Sequence, residues 1–341
     1  MARQWRFKKE FIIVAFLLLL GILGMNQYAS SLLAPADSSG QAQDMLVQVS
    51  PKSSTSQVAD MLERQELIRS AAAFRFYSRF HDLDSQLKAG YYFINASMST
   101  PEILNLLVRG NTASKSFTIP EGYTLKQITD SLADKNFIRE ELFSDLLANG
   151  RFNYAFVKGL PGGSNRLEGY LFPETYNISL DSTEKDIINV MLAGMDRQFR
   201  ELKFEDRARE QNLTTHQAVT IASMIEREAK KDQDRPLISS VIHNRLRMGM
   251  RLQIDATVEY ALGGHREKIY YKDLEVESPY NTYKFNGLPP GPIAAPGRES
   301  LLAAVSPAKT DYLYYVAKPD GSHAFATTLE EHNQNKRKYL K

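Results

Sequence analysis

The chain has 341 residues, 43% of them hydrophobic and 24% charged, and a formal net charge of +2. Those proportions belong to a folded globular chain, and the near-neutral balance argues against nucleic acid as a partner. There is no cysteine, which excludes disulfides, thiol catalysis and cysteine-ligated metal, so the fold relies on its core alone.

The first predicted element is a membrane segment. Arg3, Arg6, Lys8 and Lys9 precede the apolar run FIIVAFLLLLGILGM (11–25), and no charge follows until Asp37. As a helix, the uncharged stretch from Phe11 to Leu33 would reach about 34 Å, against a hydrocarbon core of about 30 Å. A helix also satisfies its own backbone polar groups in lipid. The basic residues ahead of it predict a cytoplasmic tail over 1–10, a transmembrane helix over 11–33 and export of everything beyond. The competing reading is a cleaved signal peptide, for which Ala34-Pro35-Ala36 has the small-x-small pattern. The small, polar stretch after Leu33 reads as a linker over 34–45.

An internal repeat follows. VQVSPKSSTSQVADMLERQELI (47–68) aligns with FTIPEGYTLKQITDSLADKNFI (117–138) at an offset of seventy. AGYYF (89–93) echoes EGYLF (168–172) at an offset of 79, and EILNLLVRG (102–110) echoes DIINVMLAG (186–194) at 84. Order kept with growing spacing is the pattern of a duplication with insertions. Each copy reads as strand, helix, strand and helix, the second strand lying at the GY(Y/L)F box.

Thr214-x-x-Gln217 is a capping box that starts a helix. On it Ala218, Ile221, Ala222, Ile225 and Ala229 form a stripe with helical spacing. A second helix is predicted from about Arg235 to Arg247, then a Pro/Gly-rich loop, GLPPGPIAAPG (287–297). A helix at SLLAAVSP, a strand at YLYYVA and a charged C-terminal helix complete a mixed α+β chain.

The chemical inventory is short. The histidines are His81, His216, His243, His265, His323 and His332, and no two have the spacing of a zinc site. Nucleophile-elbow and phosphate-loop motifs are absent. Carboxylates remain. Glu226 and Glu228 fall on opposite shoulders of the buried stripe, where a half-desolvated carboxylic acid can keep its proton as a general acid must. The plainer account of Glu226 is a surface pair with Lys230, one turn on. Tyr170, Phe172, Tyr176, Tyr260, Tyr280 and Tyr283 could stack on sugar rings, although aromatics more often fill cores. Asn244, Gln253, Asp255 and Asn281 could bind sugar hydroxyls or cap their own turns.

These pieces resemble the YceG-like family of endolytic murein transglycosylases. The resemblance runs in order through LKAGYYF (87–93), FTIPEGYT (117–124), LEGYLFPETY (167–176), IASMIEREA (221–229) and VIHNRLRMGMRLQID (241–255). It continues through SPYNTY (278–283), GLPPGPI (287–293), YYVA (314–317) and EHN (331–333). One departure is Ala295, where the family usually carries a polar residue before the Pro-Gly.

The resemblance implies a single-pass protein of the inner (cytoplasmic) membrane. It would carry a small LysM-like domain over 46–112 and an extracytoplasmic catalytic domain over 113–341. The implied reaction cuts peptidoglycan glycan strands between N-acetylmuramic acid and N-acetylglucosamine without water, leaving 1,6-anhydromuramic ends. Penicillin-binding protein synthases are implied partners, and neither cofactor nor metal is needed. The resemblance assigns the acid to the first glutamate of the I-E-x-E box, Glu226. Glu174, Gln253, Asp255, Asn281 and Tyr283 are candidates for holding the sugar. One carboxyl suffices because the substrate's own C6 hydroxyl is the nucleophile, whereas an ordinary glycosidase needs two. The alternatives are a muramidase pairing Glu226 with Glu174 or Asp255, and a non-catalytic wall-binding scaffold.

Overall fold

A computed structural model describes every residue except Met1, Gly40, Gln41, Asn111, His265, Glu267, Lys268 and Lys341, and for residues 2–15 and 22 the backbone alone. His265 therefore lies outside the described residues. The chain divides into two compact units, Met1–Lys115 with Ile178–Asp181, and Ser116–Asn177 with Ser182–Lys341. Both helices and strands contribute.

The first unit begins with α1 (Ala2–Leu33), whose stretch Phe16–Leu33 is long and apolar enough to cross a membrane and is nowhere buried. Then come β1 (Met45–Val49), α2 (Thr55–Arg64), α3 (Ala71–Phe80), β2 (Gly90–Ile94) and α4 (Thr100–Arg109). β1 and β2 pair antiparallel with Val47 opposite Tyr92. The two-residue period of a strand turns Val47, Val49, Tyr92 and Ile94 inward, onto Val58, Leu62, Phe74 and Leu107 from the helices. Ser54–Gln57 and Ser99–Glu102 form capping boxes at the starts of α2 and α4, each satisfying orphan N–H groups of a first turn. The segment after α1 is fastened down. Arg69 donates from Nε to Pro35 O at 2.7 Å and from Nη1 to Ser31 O at 3.2 Å, and Asp37 N donates to Ala96 O at 2.8 Å.

The same order then recurs in β3 (Ser114–Thr118), α5 (Leu125–Asp134), α6 (Glu140–Asn149), α7 (Ala155–Lys158), β4 (Thr175–Ser179) and α8 (Glu184–Leu202). β3 pairs with β4. The capping boxes recur as well, Thr124–Gln127 on α5 and Thr183–Asp186 on α8. So does the tyrosine of the second strand, Tyr92 donating to Lys88 O and Tyr176 to Phe172 O, each four residues back. Two corrections follow. The first copy has two helices between its strands and the second three, rather than one each, and GYLF (169–172) is not a strand. It lies in turns ahead of β4, with Tyr170 and Leu171 fully buried. The counterpart of GYYF is ETYN (174–177), at the offset of 84 that the following helix also keeps.

The rest is built around one helix. α9 (Phe204–Glu210), α10 (Thr215–Glu228), α11 (Arg235–Arg247), α12 (Asp255–Ala261) and α13 (Arg298–Val305) precede the hairpin β5 (Tyr314–Ala317) and β6 (His323–Ala326) and the final α14 (Leu329–Tyr339). α10 packs against α9, α11, α12 and α13. Every residue from Ala218 to Ile225 is buried, so the expected stripe is a helix covered on all sides.

Candidate active site

α10 ends at Glu228, and its last turn holds the three charged residues Glu226, Arg227 and Glu228. They leave the helix in different directions and meet different partners.

Glu226 meets Arg235, the first residue of α11. Arg235 Nη1 lies 3.3 Å from Glu226 Oε2, with both side chains nearly buried at 10% and 7% exposure. The same Oε2 accepts the backbone N–H of Gly297 at 2.9 Å. Arg235 also donates to Ser300 Oγ at 2.5 Å and to Asp232 Oδ1 at 3.1 Å. The expected Glu226–Lys230 pair is replaced by this buried one. Glu121 joins the group, its carboxylate lying over Gly297. Desolvation first, and the charge of Glu226 second, push the Glu121 carboxyl above the usual range, with Arg235 opposing. The two loop segments of this corner are tied by backbone, Gly122 N to Ala295 O at 2.9 Å and Ala295 N to Tyr123 O at 2.7 Å. Ala295 is buried, so its peptide group, not its side chain, shapes the corner.

Glu228 is half-buried and, among the described residues, has no cation for a partner. Burial, then the charge of Asp255, push its pKa up to about 7, against hydrogen bonds from the Tyr315 hydroxyl and the Ala256 N–H. Asp255 opens α12, is exposed, and accepts the Tyr283 hydroxyl at 2.5 Å. Gln253 stands two residues before it, exposed, with φ at +53° and its N–H on Thr282 O. Arg245 is held from below by Leu313 O and Leu252 O at 2.6 Å each and lies 5.1 Å from the Tyr314 ring. Its charge counters the raised hydroxyl pKa of both Tyr315 and Tyr283.

Arg227 bridges to Glu259 at 3.0 Å and lines a cavity of about 300 Å³ with Asn165, Glu168, Ala256, Glu259 and Tyr260. Ala256 therefore belongs to both places, its N–H on Glu228 and its residue in the cavity wall. Glu168 is buried there. It accepts Leu125 N at 3.0 Å and the Tyr260 hydroxyl at 3.1 Å, and burial raises its pKa to about 7.

Of the sequence candidates, Asp255 and Tyr283 meet beside Glu228, with Gln253 close in the chain. Asn281 is fully buried. Its amide donates to Leu274 O and Val276 O, and its Oδ1 accepts Tyr283 N, so it braces the loop and has no group left for a sugar. Asn244 is spent in the same way on Thr310 O and Tyr312 O. Glu174 is exposed and paired with Arg197 at 2.5 Å, and no described contact joins it to Glu226 or Glu228. Tyr170, Phe172 and Tyr176 are core. His216 is a brace, with Nε2 on Pro290 O at 2.8 Å and Nδ1 at 2.9 Å from the Tyr170 hydroxyl.

Sequence reasoning missed Arg235, Glu121 and Tyr315. Glu121 stood inside a quoted motif, FTIPEGYT, and a half-buried strand tyrosine such as Tyr315 needs a partner for its hydroxyl. Arg235 gave no signal beyond its place at a helix start.

The YceG-like family model matches residues 47–338. An endolytic murein transglycosylase of Bacillus subtilis is 38% identical over 336 residues, 93% of this chain and 90% of its own length. One from Streptococcus pneumoniae is 32% identical over 356 residues, 95% of this chain and 64% of its own. The crystal structure of a YceG-like protein from Listeria monocytogenes aligns with a TM-score of 0.58 at 39% identity, covering 86% of this chain and 99% of the other.

Proposed function

We propose that this chain, which belongs to the YceG-like family, is an endolytic murein transglycosylase with Glu228 as its acid and base. It cuts peptidoglycan strands internally, at the bond from N-acetylmuramic acid to N-acetylglucosamine. The names of the relatives support the reaction class. The observation that supports the residue is electrostatic. Glu228 is a carboxyl with pKa about 7 and, among the described residues, no cation for a partner, beside exposed Asp255, whereas Glu226 is held by Arg235 and Gly297 N.

A general acid works best with a pKa near the operating pH. Glu228 protonates the glycosidic oxygen as the leaving sugar departs. As carboxylate it then takes the proton of the C6 hydroxyl while that oxygen closes onto C1. One carboxyl serves both steps, and water is not consumed. Asp255 raises the acid's pKa and, with its charge exposed, faces the oxocarbenium-like centre. Tyr283 orients Asp255, and Gln253 offers an amide to the sugar. Glu226, to which the family resemblance assigns the acid, is the alternative acid, its carboxylate held by Arg235 and the Gly297 N–H at the same end of α10.

The proposal extends to placement. α1 is a retained anchor with residues 1–10 cytoplasmic, and the remainder works outside the cytoplasmic membrane. The β-α-α-β order of the first unit supports a LysM-like, glycan-holding role for 46–112, with residues 113–341 as the catalytic part. Strand synthases of the penicillin-binding type are its working neighbours.

The test is product analysis with uncrosslinked glycan strands and the full chain. Wild type and Glu226→Gln should release anhydro-ended fragments, and Glu228→Gln should not. Reducing muramic ends that take up oxygen from labelled water would replace the lyase with a hydrolase. An active Glu228→Gln beside a dead, folded Glu226→Gln would return the acid to Glu226.

A further inference from the structure

The outer face of α3 is unusual for a helix bathed in water. Its inner face buries Ala71, Phe74 and Ser78. On the other side Phe76 and Phe80, one turn apart, are 73% and 74% exposed, and their rings stack at a centroid distance of 6.2 Å. Arg79 lies between them in sequence, its side chain 87% exposed and 3.7 Å from its nearest acid, Asp84.

This face is held close to where α1 ends. α1 packs against α3. Arg69, two residues ahead of α3, clasps the carbonyls of Ser31 and Pro35, and Asp37 is bonded to Ala96. The junction therefore lacks the slack of a free tether. From Arg69, Phe76 is about 10 Å along a helix and Phe80 about 16 Å, at 1.5 Å per residue. The polar layer on each side of a bilayer is about 5–7 Å deep, and a helix lying in its plane stays within it along its whole length.

We propose that the Phe76–Arg79–Phe80 face of α3 seats on the membrane from which α1 emerges. Its rings sit at headgroup depth and its guanidinium on lipid phosphate. Aromatic rings are enriched at that depth, and a long basic side chain can bury its stem while its head stays with the phosphates. An anionic leaflet strengthens the contact through Arg79. The inference rests on α1 being a retained anchor and adds that the first unit lies on the bilayer instead of hanging from it.

The absence of native cysteine makes the test direct. Single-cysteine variants Leu20→Cys, Phe76→Cys, Phe80→Cys and Glu330→Cys of the full chain are spin-labelled and reconstituted in phosphatidylglycerol-containing bilayers. Relaxation by oxygen, which enters lipid, is compared with relaxation by a water-soluble nickel chelate. Positions 76 and 80 are exposed, so labelling leaves the core intact. The expected result is oxygen-favoured relaxation at 20, 76 and 80, shallower at the last two, and chelate-favoured relaxation at 330. If 20 is in lipid but 76 and 80 match 330, the α3 contact is overturned and the anchor stands. If 20 is itself aqueous, anchor and proposal fall together. Labels at 76 and 80 shielded from both agents would mean protein contact and would also overturn it.

Discussion

Glu226 and Glu228 share one helical turn, yet they end in opposite electrostatic settings. Glu226 is given a buried guanidinium and a backbone N–H. Glu228 is given a neighbouring carboxylate and two neutral donors. The lesson is that burial alone does not make an acid. A buried carboxylate with a cation is costly to separate from its partner. One pushed toward neutrality by burial and then by a like charge, without that cation, is poised to move a proton.

The largest effect expected from breaking this contrast is on turnover. Glu228→Gln keeps the shape and loses the proton, and should cut the release of anhydro ends at least 10²- to 10⁴-fold, the usual worth of a general acid, roughly. The wild-type rate should fall as pH rises through about 7, because the donor is then lost; a rate flat from pH 6 to 8 would contradict the assignment. Glu226→Ala should act on the other side of the comparison. It leaves Arg235 with only Asp232 and Ser300 and should lower unfolding free energy, by up to about 3 kcal/mol, in denaturant titration.

A third glutamate sharpens the point. Glu168 also reaches about 7, but both its oxygens are taken by Leu125 N and Tyr260, so its protonation should appear in stability. Its folded pKa is raised, so the contribution is full below the unfolded value and disappears as pH rises through about 7. The amount is on the order of 3 kcal/mol. Glu168→Gln should flatten the fall in melting temperature between pH 5 and 8.

The smallest effects are shifts of the pH profile in opposite directions. Asp255→Asn removes the charge that raises Glu228 and should move the alkaline limb down. Tyr315→Phe removes a donor that favours the carboxylate and should move it up, each by about one pH unit or less. Equal shifts of the same sign would show that neither group acts on Glu228.

Much of the scaffold was legible in the residues. α11 runs from Arg235 to Arg247 as its pattern predicts, and α10 begins behind its Thr214–Gln217 box. The recurring order of strands and helices was visible through its spacing. GYLF misled because period and composition register burial, not extension. Tyr170 and Leu171 are as buried as a strand's inner face while lying in turns. The odd offset of 79 between neighbours at 70 and 84 was the clue. The site was half legible. Asp255, Tyr283 and the two glutamates were in view, but Arg235 and Tyr315 come from separate segments, and only the fold decides which glutamate each one meets.

α10 is covered on every side, by α9 before it and by α11, α12 and α13 after it. A chain threaded end-first from a ribosome, or through a translocation channel, exposes this apolar helix well before its cover is complete. About seventy residues separate Glu228 from the start of α13 at Arg298, several seconds of synthesis at about 5–20 residues per second. During that interval the side of α10 that α13 covers has no native wall to meet. This enzyme should therefore depend on holding chaperones in the compartment where it folds, and a strain short of them should lose it before proteins whose central helices are covered by earlier sequence.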